Sequence, residues 1–158
     1  IPNPTGSIEA TLEGLSCSSS SACMAVGSYH ESGGKDKGLA ERWNGSAWSS
    51  MTTPTPTESE GGNDLYGVSC LSSSSCFAVG RRINKESTEL HIPTEERTLA
   101  ETWNGTAWTV QSTPNPEKNH WDTFTGVSCT SSIACTAVGT TYPTSTSGES
   151  LTLGERYE

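Results

Sequence analysis

The sequence predicts an all-β chain made of repeated antiparallel sheets. One pattern of a glycine, a serine, two cysteines and Ala-Val-Gly occurs three times, as GLSCSSSSACMAVG at 14–27, GVSCLSSSSCFAVG at 67–80 and GVSCTSSIACTAVG at 126–139. A second pattern, LAERWNGSAW at 39–48, returns as LAETWNGTAW at 99–108. Repeated units of four short strands are typical of β-propeller blades. The predicted fold is therefore a set of four-stranded antiparallel β-propeller blades, with a two-sheet sandwich as the alternative.

The cysteine motif predicts the first two strands of each unit. In the first copy, Leu15–Cys17 and Cys23–Gly27 alternate in the manner of strands, and Ser18–Ser21 is a polar turn between them. The two cysteines then face each other at the mouth of a hairpin.

The tryptophan motif predicts the third and fourth strands. An Asn-Gly pair between strand-like segments indicates a two-residue type I′ turn, because both central residues of that turn need positive φ. With Asn44–Gly45 as the turn, Trp43 is expected opposite Ser46. One face of this hairpin is then shared by Leu39, Glu41, Trp43 and Trp48.

Proline segments close the units. Thr52–Pro56 and Ser112–Pro116 follow the fourth strand, since proline cannot donate to a strand ladder. Ile1–Thr5 resembles them, so the chain is expected to open on the tail of a preceding repeat. The connections that differ between units are predicted as loops at 28–37, 81–97, 58–64 and 117–122.

These signals divide the chain into a tail at 1–13, a first repeat at 14–66, a second at 67–125 and a partial third at 126–158. The third copy has no Asn-Gly turn and no fourth strand, and propellers typically have at least four blades. We therefore expect an incomplete ring that further sequence or another chain completes.

The six cysteines form three local pairs. They are Cys17 with Cys23, Cys70 with Cys76 and Cys129 with Cys135, each pair with the same spacing. Zinc sites favour closer cysteine spacings or nearby histidines, and no histidine recurs with these pairs. Disulfides are therefore favoured over metal ligation or free thiols, and they indicate a secreted, extracellular chain.

Charge and composition limit the partners. The formal net charge is -9 and the pI about 4.7, which disfavours nucleic acid and anionic membranes. Mean hydropathy is -0.50, and no apolar run approaches the roughly 20 residues of a membrane span. The acidic stretch 58–64 has oxygen ligands but not the order of a known calcium loop. We expect no metal and no cofactor.

The combined pattern of G-[LV]-S-C-x5-C-x-A-V-G, L-[AG]-E-x-[WY], N-G-x-A-W and T-P-x-P resembles tandem repeats of secreted actinobacterial and related bacterial proteins of the β-propeller type. The resemblance covers nearly the whole chain and implies a fold and an extracellular setting. The third copy departs from it at Gly154 and Tyr157. The N-G-x-A-W element is also similar to the Asp-box turn of sialidase-type propellers, but the aspartate is absent, so no sugar-processing activity is implied.

No catalytic pattern emerges from the residues. The three histidines, His30, His91 and His120, lie outside zinc-type spacings. Glu41, Glu101 and Glu155 recur once per unit, which separates them too widely for a carboxylate pair acting on one bond. The chain is predicted not to be an enzyme.

Aromatic side chains are the candidates for ligand binding, because tryptophan and tyrosine combine large contact area with a polar group. The recurring candidates, which packing between repeats also explains, are Trp43, Trp48, Trp103 and Trp108. The candidates that do not recur are Tyr29, Trp121 and Tyr142. The charged segment 81–97 joins the second group, since variable loops on a rigid scaffold carry specificity.

The leading functional hypothesis is a non-enzymatic extracellular module for recognition or display that binds a glycan or a protein. One alternative is a structural subunit of an extracellular filament or surface assembly made of further copies of itself. Another is a non-catalytic part of a secreted hydrolase.

Overall fold

The computed structural model describes residues 1–86, 93–115, 120–143 and 149–158. Part of the predicted loop at 81–97 and half of the predicted connection at 117–122 lie outside these residues. The described chain contains eleven strands: β1 Ser7–Ser19, β2 Ala22–Glu31, β3 Lys37–Trp43, β4 Trp48–Thr52, β5 Gly62–Ser72, β6 Ser75–Glu86, β7 Pro93–Trp103, β8 Trp108–Gln111, β9 His120–Ser131, β10 Ala134–Pro143 and β11 Leu151–Tyr157.

The all-β prediction is confirmed: the described strands form a four-stranded sheet from repeat 1 and a seven-stranded sheet in which the antiparallel strands of repeats 2 and 3 are joined through β7 and β9. Repeat 1 is β1-β2-β3-β4, repeat 2 is β5-β6-β7-β8 and repeat 3 is β9-β10-β11, each in sequence order. Single parallel pairings link successive repeats, Asp36 with Gly62 and Glu96 with Trp121. The sheets do not close on themselves. The boundaries predicted at 13/14, 66/67 and 125/126 fall inside β1, β5 and β9.

All three predicted disulfides are present. Cys17–Cys23, Cys70–Cys76 and Cys129–Cys135 each join partners that lie directly opposite on the first two strands, with Cα atoms 3.9–4.0 Å apart. In the first copy the strands continue past the cysteines, so Ser19 still pairs with Ala22. The turn is therefore two residues long rather than four.

The predicted register of the Asn-Gly hairpin is wrong. Trp43 lies opposite Trp48, not opposite Ser46, and four residues form the turn. The side chain of Asn44 accepts hydrogen bonds from the N–H groups of Ser46 and Ala47, both at 3.0 Å, while Gly45 has a φ of 96°. Asparagine thus serves as a local side-chain acceptor, which a two-residue type I′ turn does not require.

The segment 81–97 is mostly strand where it is described. β6 continues to Glu86 and β7 begins at Pro93, so this hairpin is longer than its counterpart between β2 and β3. The predicted loop is therefore wrong at 81–86 and 93–97, which are strand, and charged residues of these two strands pair with one another, as Arg81 does with Glu96.

The hydrophobic core lies between repeats rather than inside one sheet. We call one side of each sheet its rear face and the other its front face. The rear-face positions are Gly14, Met24, Val26 and Ala40 in repeat 1, Gly67, Phe77, Val79 and Ala100 in repeat 2, and Gly126, Thr136, Val138 and Gly154 in repeat 3. The front-face positions are Leu12, Leu15, Ala25, Glu41 and Trp43 in repeat 1, Leu65, Val68, Ala78, Glu101 and Trp103 in repeat 2, and Phe124, Val127, Ala137, Glu155 and Tyr157 in repeat 3.

Each rear face packs on the front face of the next repeat. One cluster joins the rear of repeat 1 to the front of repeat 2, and a second joins the rear of repeat 2 to the front of repeat 3. A sheet with two apolar faces needs a neighbour on each side. Only the middle repeat has both.

Candidate functional site

The serine of the cysteine motif connects neighbouring repeats. The Ser16 hydroxyl oxygen accepts a hydrogen bond from the main-chain N–H of Cys70 at 2.9 Å. One repeat further on, the Ser69 hydroxyl accepts from the N–H of Cys129 at 3.1 Å. In repeat 2, Ser69 therefore bonds to the following repeat, whereas the adjacent Cys70 bonds to the preceding repeat.

The first glycine of the motif lets the inner strands approach closely. A Cβ atom on Gly14 would lie 2.8 Å from the carbonyl oxygen of Tyr66. A Cβ on Gly67 would lie 3.2 Å from the Cα of Gly126. Glycine is needed at these two positions because backbone meets backbone. The motif is thus a repeat-to-repeat contact as well as a stapled hairpin.

The recurring tryptophans have structural partners. The indole N–H of Trp43 donates to the carbonyl of Ser20 at 3.3 Å, and that of Trp103 to the carbonyl of Ser73 at 3.2 Å, so each caps a disulfide hairpin. Trp43 and Trp48 pack with ring centroids 5.8 Å apart, as do Trp103 and Trp108. Trp103 and Trp108 are each only 5% exposed, which leaves neither ring face for a ligand.

The candidates that do not recur are more accessible. Trp121 and Tyr142 lie directly opposite each other on β9 and β10, and both are exposed. Tyr142 alternates along β10 on the same side as Val138. Tyr29 lies apart from them, half-buried, with the Lys37 ammonium 5.7 Å from its ring centroid. The predicted aromatic residues therefore do not converge on one site.

An ionic network that sequence reasoning did not predict lies where repeat 2 meets repeat 3. Arg81 pairs with Asp64 at 2.9 Å and with Glu96 at 2.7 Å. Arg97 pairs with Glu95 at 3.0 Å and lies 3.6 Å from Asp122. The carboxylates of this network are all buried. Charge in 81–97 was the available signal, but Asp64 and Asp122 come from strands outside that segment.

Tyr66 extends the network. Its hydroxyl donates to Asp64 at 3.2 Å, and the Arg81 guanidinium lies 5.8 Å from its ring centroid. Burial, followed by the nearby Asp64 charge, raises the pKa of Tyr66 above its ordinary value. The Arg81 pairs join β5, β6 and β7 within repeat 2. The link to repeat 3 comes from Asp122, 3.6 Å from Arg97, and from Thr123, which donates a hydrogen bond to Glu96 at 3.5 Å.

The recurring glutamates lie on the front faces and differ in their partners. Ser50, opposite Glu41, donates a hydrogen bond to it. Val110 occupies the equivalent position opposite Glu101, whose carboxylate oxygens make no hydrogen bond within the described residues. Burial raises the pKa of Glu101 to about 8. Glu41 and Glu101 are both fully buried, Glu101 where repeats 1 and 2 meet and Glu41 on the front face of repeat 1.

The two outer faces leave apolar positions uncovered. Val138 is 53% exposed, whereas the equivalent Val26 and Val79 are fully buried at 0%. Leu15 is 63% exposed, whereas the equivalent Val68 is 9% exposed. Leu15 on the front of repeat 1 and Val138 on the rear of repeat 3 therefore depart from the pattern of the middle repeat, and these two faces form the candidate interaction surface.

Metal and membrane sites find no support in the described part of the chain. No group of three or more histidine, cysteine, aspartate or glutamate side chains there could hold a metal ion. In the acidic stretch, Glu58 pairs with Arg82 at 2.6 Å. None of the described segments is a helix long and apolar enough to cross a membrane.

Comparison with known proteins finds no matching protein-family model and no curated protein of significant similarity. The functional argument therefore depends on the geometry of this chain.

Proposed function

We propose that the chain is a non-enzymatic extracellular module of β-propeller-type blades that recognises a protein partner through the uncovered faces of its end repeats. The observation that supports this most directly is the exposure of Val138 at a position that is fully buried in the other two repeats. Contiguous exposed apolar positions on a rigid scaffold are typical of protein-binding surfaces.

An extracellular setting fits the three disulfides. Each closes a short hairpin in an acidic chain with no free cysteine. Disulfides of this kind persist in oxidising compartments and are rare in a reducing cytosol.

A protein partner is favoured over a glycan because both tryptophans of repeat 2 are buried. Sugar rings stack on open indole faces, and Trp103 and Trp108 offer none. Leu15 and Val138, which are exposed although the inner repeats bury the equivalent positions, are instead aliphatic. Aliphatic side chains match an apolar protein surface better than a hydroxylated sugar.

A glycan remains the second candidate because of one observation. Trp121 and Tyr142 form an exposed cross-strand aromatic pair, which offers the stacking surface that a sugar ring requires. A glycan array with the Trp121→Ala variant as control tests it. Array binding that the substitution abolishes would favour the glycan over the protein.

The proposal is tested by immobilising the chain and exposing it to the culture-medium and cell-surface proteins of the organism that makes it. Retained proteins are identified by mass spectrometry for the unsubstituted chain, Leu15→Asp, Val138→Asp and the control Ile133→Asp. Ile133 is exposed at the tip of the β9–β10 hairpin rather than on either face. We expect a specific protein that Leu15→Asp or Val138→Asp loses and the control retains. The proposal would be overturned if both face variants captured the same proteins as the unsubstituted chain, or if the unsubstituted chain captured none.

A further inference from the structure

The two uncovered faces correspond to the two halves of a contact that the molecule already makes twice. A rear face meets a front face between repeats 1 and 2 and again between repeats 2 and 3. The rear of repeat 3 and the front of repeat 1 are left over. We propose that they bind each other between molecules, so that a second copy of this chain docks head to tail. This inference rests on the proposed function and names its partner.

The hydrogen bonding at both ends matches the internal contacts. The Ser128 hydroxyl is exposed and makes no hydrogen bond in the described part of the chain, although Ser16 and Ser69 both accept one at this position. The main-chain N–H of Cys17 stands where Cys70 and Cys129 donate. Docking lets Ser128 of one copy accept from Cys17 of the next.

The space at the rear of repeat 3 suits an incoming strand. A Cβ placed on Gly126 would have one neighbour within 4 Å, the Val138 side chain of its own repeat at 3.5 Å. The same atom on Gly14 or Gly67 would meet the backbone of the following repeat. The backbone of a second copy can therefore approach Gly126 as closely as the following repeat approaches Gly14 and Gly67. Leu15 of that second copy would lie beside Gly126.

The N-terminal segment supplies a further part of the internal arrangement. Between repeats 1 and 2, Pro54 and Trp108 line one surface cavity, so the proline segment of a repeat reaches β8 of the next. At the front of repeat 1, the carbonyl of Pro2 accepts a hydrogen bond at 3.4 Å from Ser50 on β4. Ile1–Thr5, which resembles the proline segments, thus lies beside the same strand of its repeat.

The contact between copies is expected to be weaker than the internal ones. Thr136 replaces Met24 and Phe77 on the rear face, and Gly154 replaces Ala40 and Ala100. Less apolar area is then removed from water. Association should accordingly be reversible and depend on concentration.

The proposed contact joins two different surfaces. A head-to-tail contact of this kind is heterologous, so each copy keeps one free rear face and one free front face. Growth then continues into an open chain or closes into a ring. A symmetric dimer would instead use the same face twice, and this difference makes the proposal testable.

The experiment is sedimentation velocity over a concentration series. The unsubstituted chain should form dimers and larger species, whereas Leu15→Asp and Val138→Asp should each remain monomeric. Mixing the two variants should restore dimers and stop there, because each retains one working face and the two retained faces are complementary. Ile133→Asp should associate like the unsubstituted chain. Thr136→Phe should tighten association by about tenfold or more, since it restores the apolar residue of repeat 2.

Three outcomes would overturn the inference: a monomer at every concentration, a mixture that stays monomeric, or dimers that survive in one variant alone. Circular dichroism of each variant confirms folding, which exposed positions should tolerate. If the chain stays monomeric while its face variants lose a captured protein, this inference fails and the proposed function stands. If neither occurs, both fail.

Discussion

The contact between repeats 1 and 2 and the contact between repeats 2 and 3 are alike near the disulfides and differ at the opposite end of the strands. Near the disulfides both are apolar and use the same motif residues, including the hydrogen bonds to Cys70 and Cys129. At the far end, the contact between repeats 2 and 3 places Asp122 3.6 Å from Arg97, next to the Arg81 ion pairs that lie within repeat 2. Repeat 1 has Ser28 at the position of Arg81 and Thr11 at the position of Asp64.

The residues that both contacts share let repeats stack, and the residues that differ distinguish one neighbouring repeat from another. The motif residues would let any repeat stack on any other, because each copy carries the same glycine, serine and cysteines. Charged groups found in one contact alone favour one neighbour over another, since a mismatched pairing would bury unpaired charge. Asp122 beside Arg97, and Thr123 donating to Glu96, therefore favour repeat 3 as the neighbour of repeat 2.

Removing Arg81 should have the largest effect. Arg81→Ala leaves the buried Asp64 and Glu96 without their cation, and breaking a buried ion pair costs about 3–5 kcal/mol. Urea unfolding measures the loss. The neighbouring Arg82→Ala is the matched control, because its partner Glu58 is exposed and such pairs contribute about 1 kcal/mol or less. Equal losses in the two variants would contradict the assigned role of the network.

Replacing the first glycine of the cysteine motif by alanine tests the part of the contact that both pairs of repeats share. Gly14→Ala places a Cβ 2.8 Å from the Tyr66 carbonyl, so repeats 1 and 2 must separate slightly, at a cost of about 1–3 kcal/mol. Gly126→Ala adds a Cβ that would meet only the Val138 side chain of its own repeat within 4 Å among the described residues, so it should be nearly neutral in the monomer. Thermal unfolding of both variants at low protein concentration measures the two stability losses. A loss in Gly126→Ala as large as in Gly14→Ala would count against glycine-mediated stacking.

The smallest effect concerns Glu101 and pH. Its folded pKa of about 8 lies above its ordinary value of 4.5, so the folded state holds a proton that the unfolded state releases between these values. Stability from this group is therefore fully present below about pH 4.5 and is lost as pH rises toward 8.

Val110→Ser should reduce that loss, because it gives Glu101 the donor that Ser50 gives Glu41. We expect a gain of about 1 kcal/mol at pH 8 and little change at pH 5, measured by thermal unfolding. Glu101→Gln should remove this contribution to the pH dependence. An unchanged pH slope in Glu101→Gln would show that other groups control it.

Local features could be predicted from the sequence because their causes are local. A cysteine pair with a short polar spacer can close only a tight hairpin, so the disulfides and the first two strands followed. The register at Asn44 could not be predicted in the same way. Both a two-residue and a four-residue turn suit Asn-Gly, and the choice depends on what the asparagine side chain binds.

The candidate surface was less accessible to sequence reasoning. Tryptophans at 103 and 108 read equally well as ligand contacts or as packing, and only their burial separates the two. The sequence does not distinguish Leu15 and Val138, because each occupies the same position as an apolar residue that is buried in another repeat. Their exposure follows from position in the stack, which is a property of the whole arrangement.

The sequence by itself therefore determined the all-β class, the repeat, the stapled hairpins and the residues shared by each face, since these follow from periodicity and short-range geometry. The tertiary structure alone decided which face meets which, that a motif serine reaches the next repeat's cysteine, and that Arg81 finds partners on two other strands. Those contacts join residues far apart in the chain, and their energy depends on burial and distance. Neither quantity exists until the sheets pack.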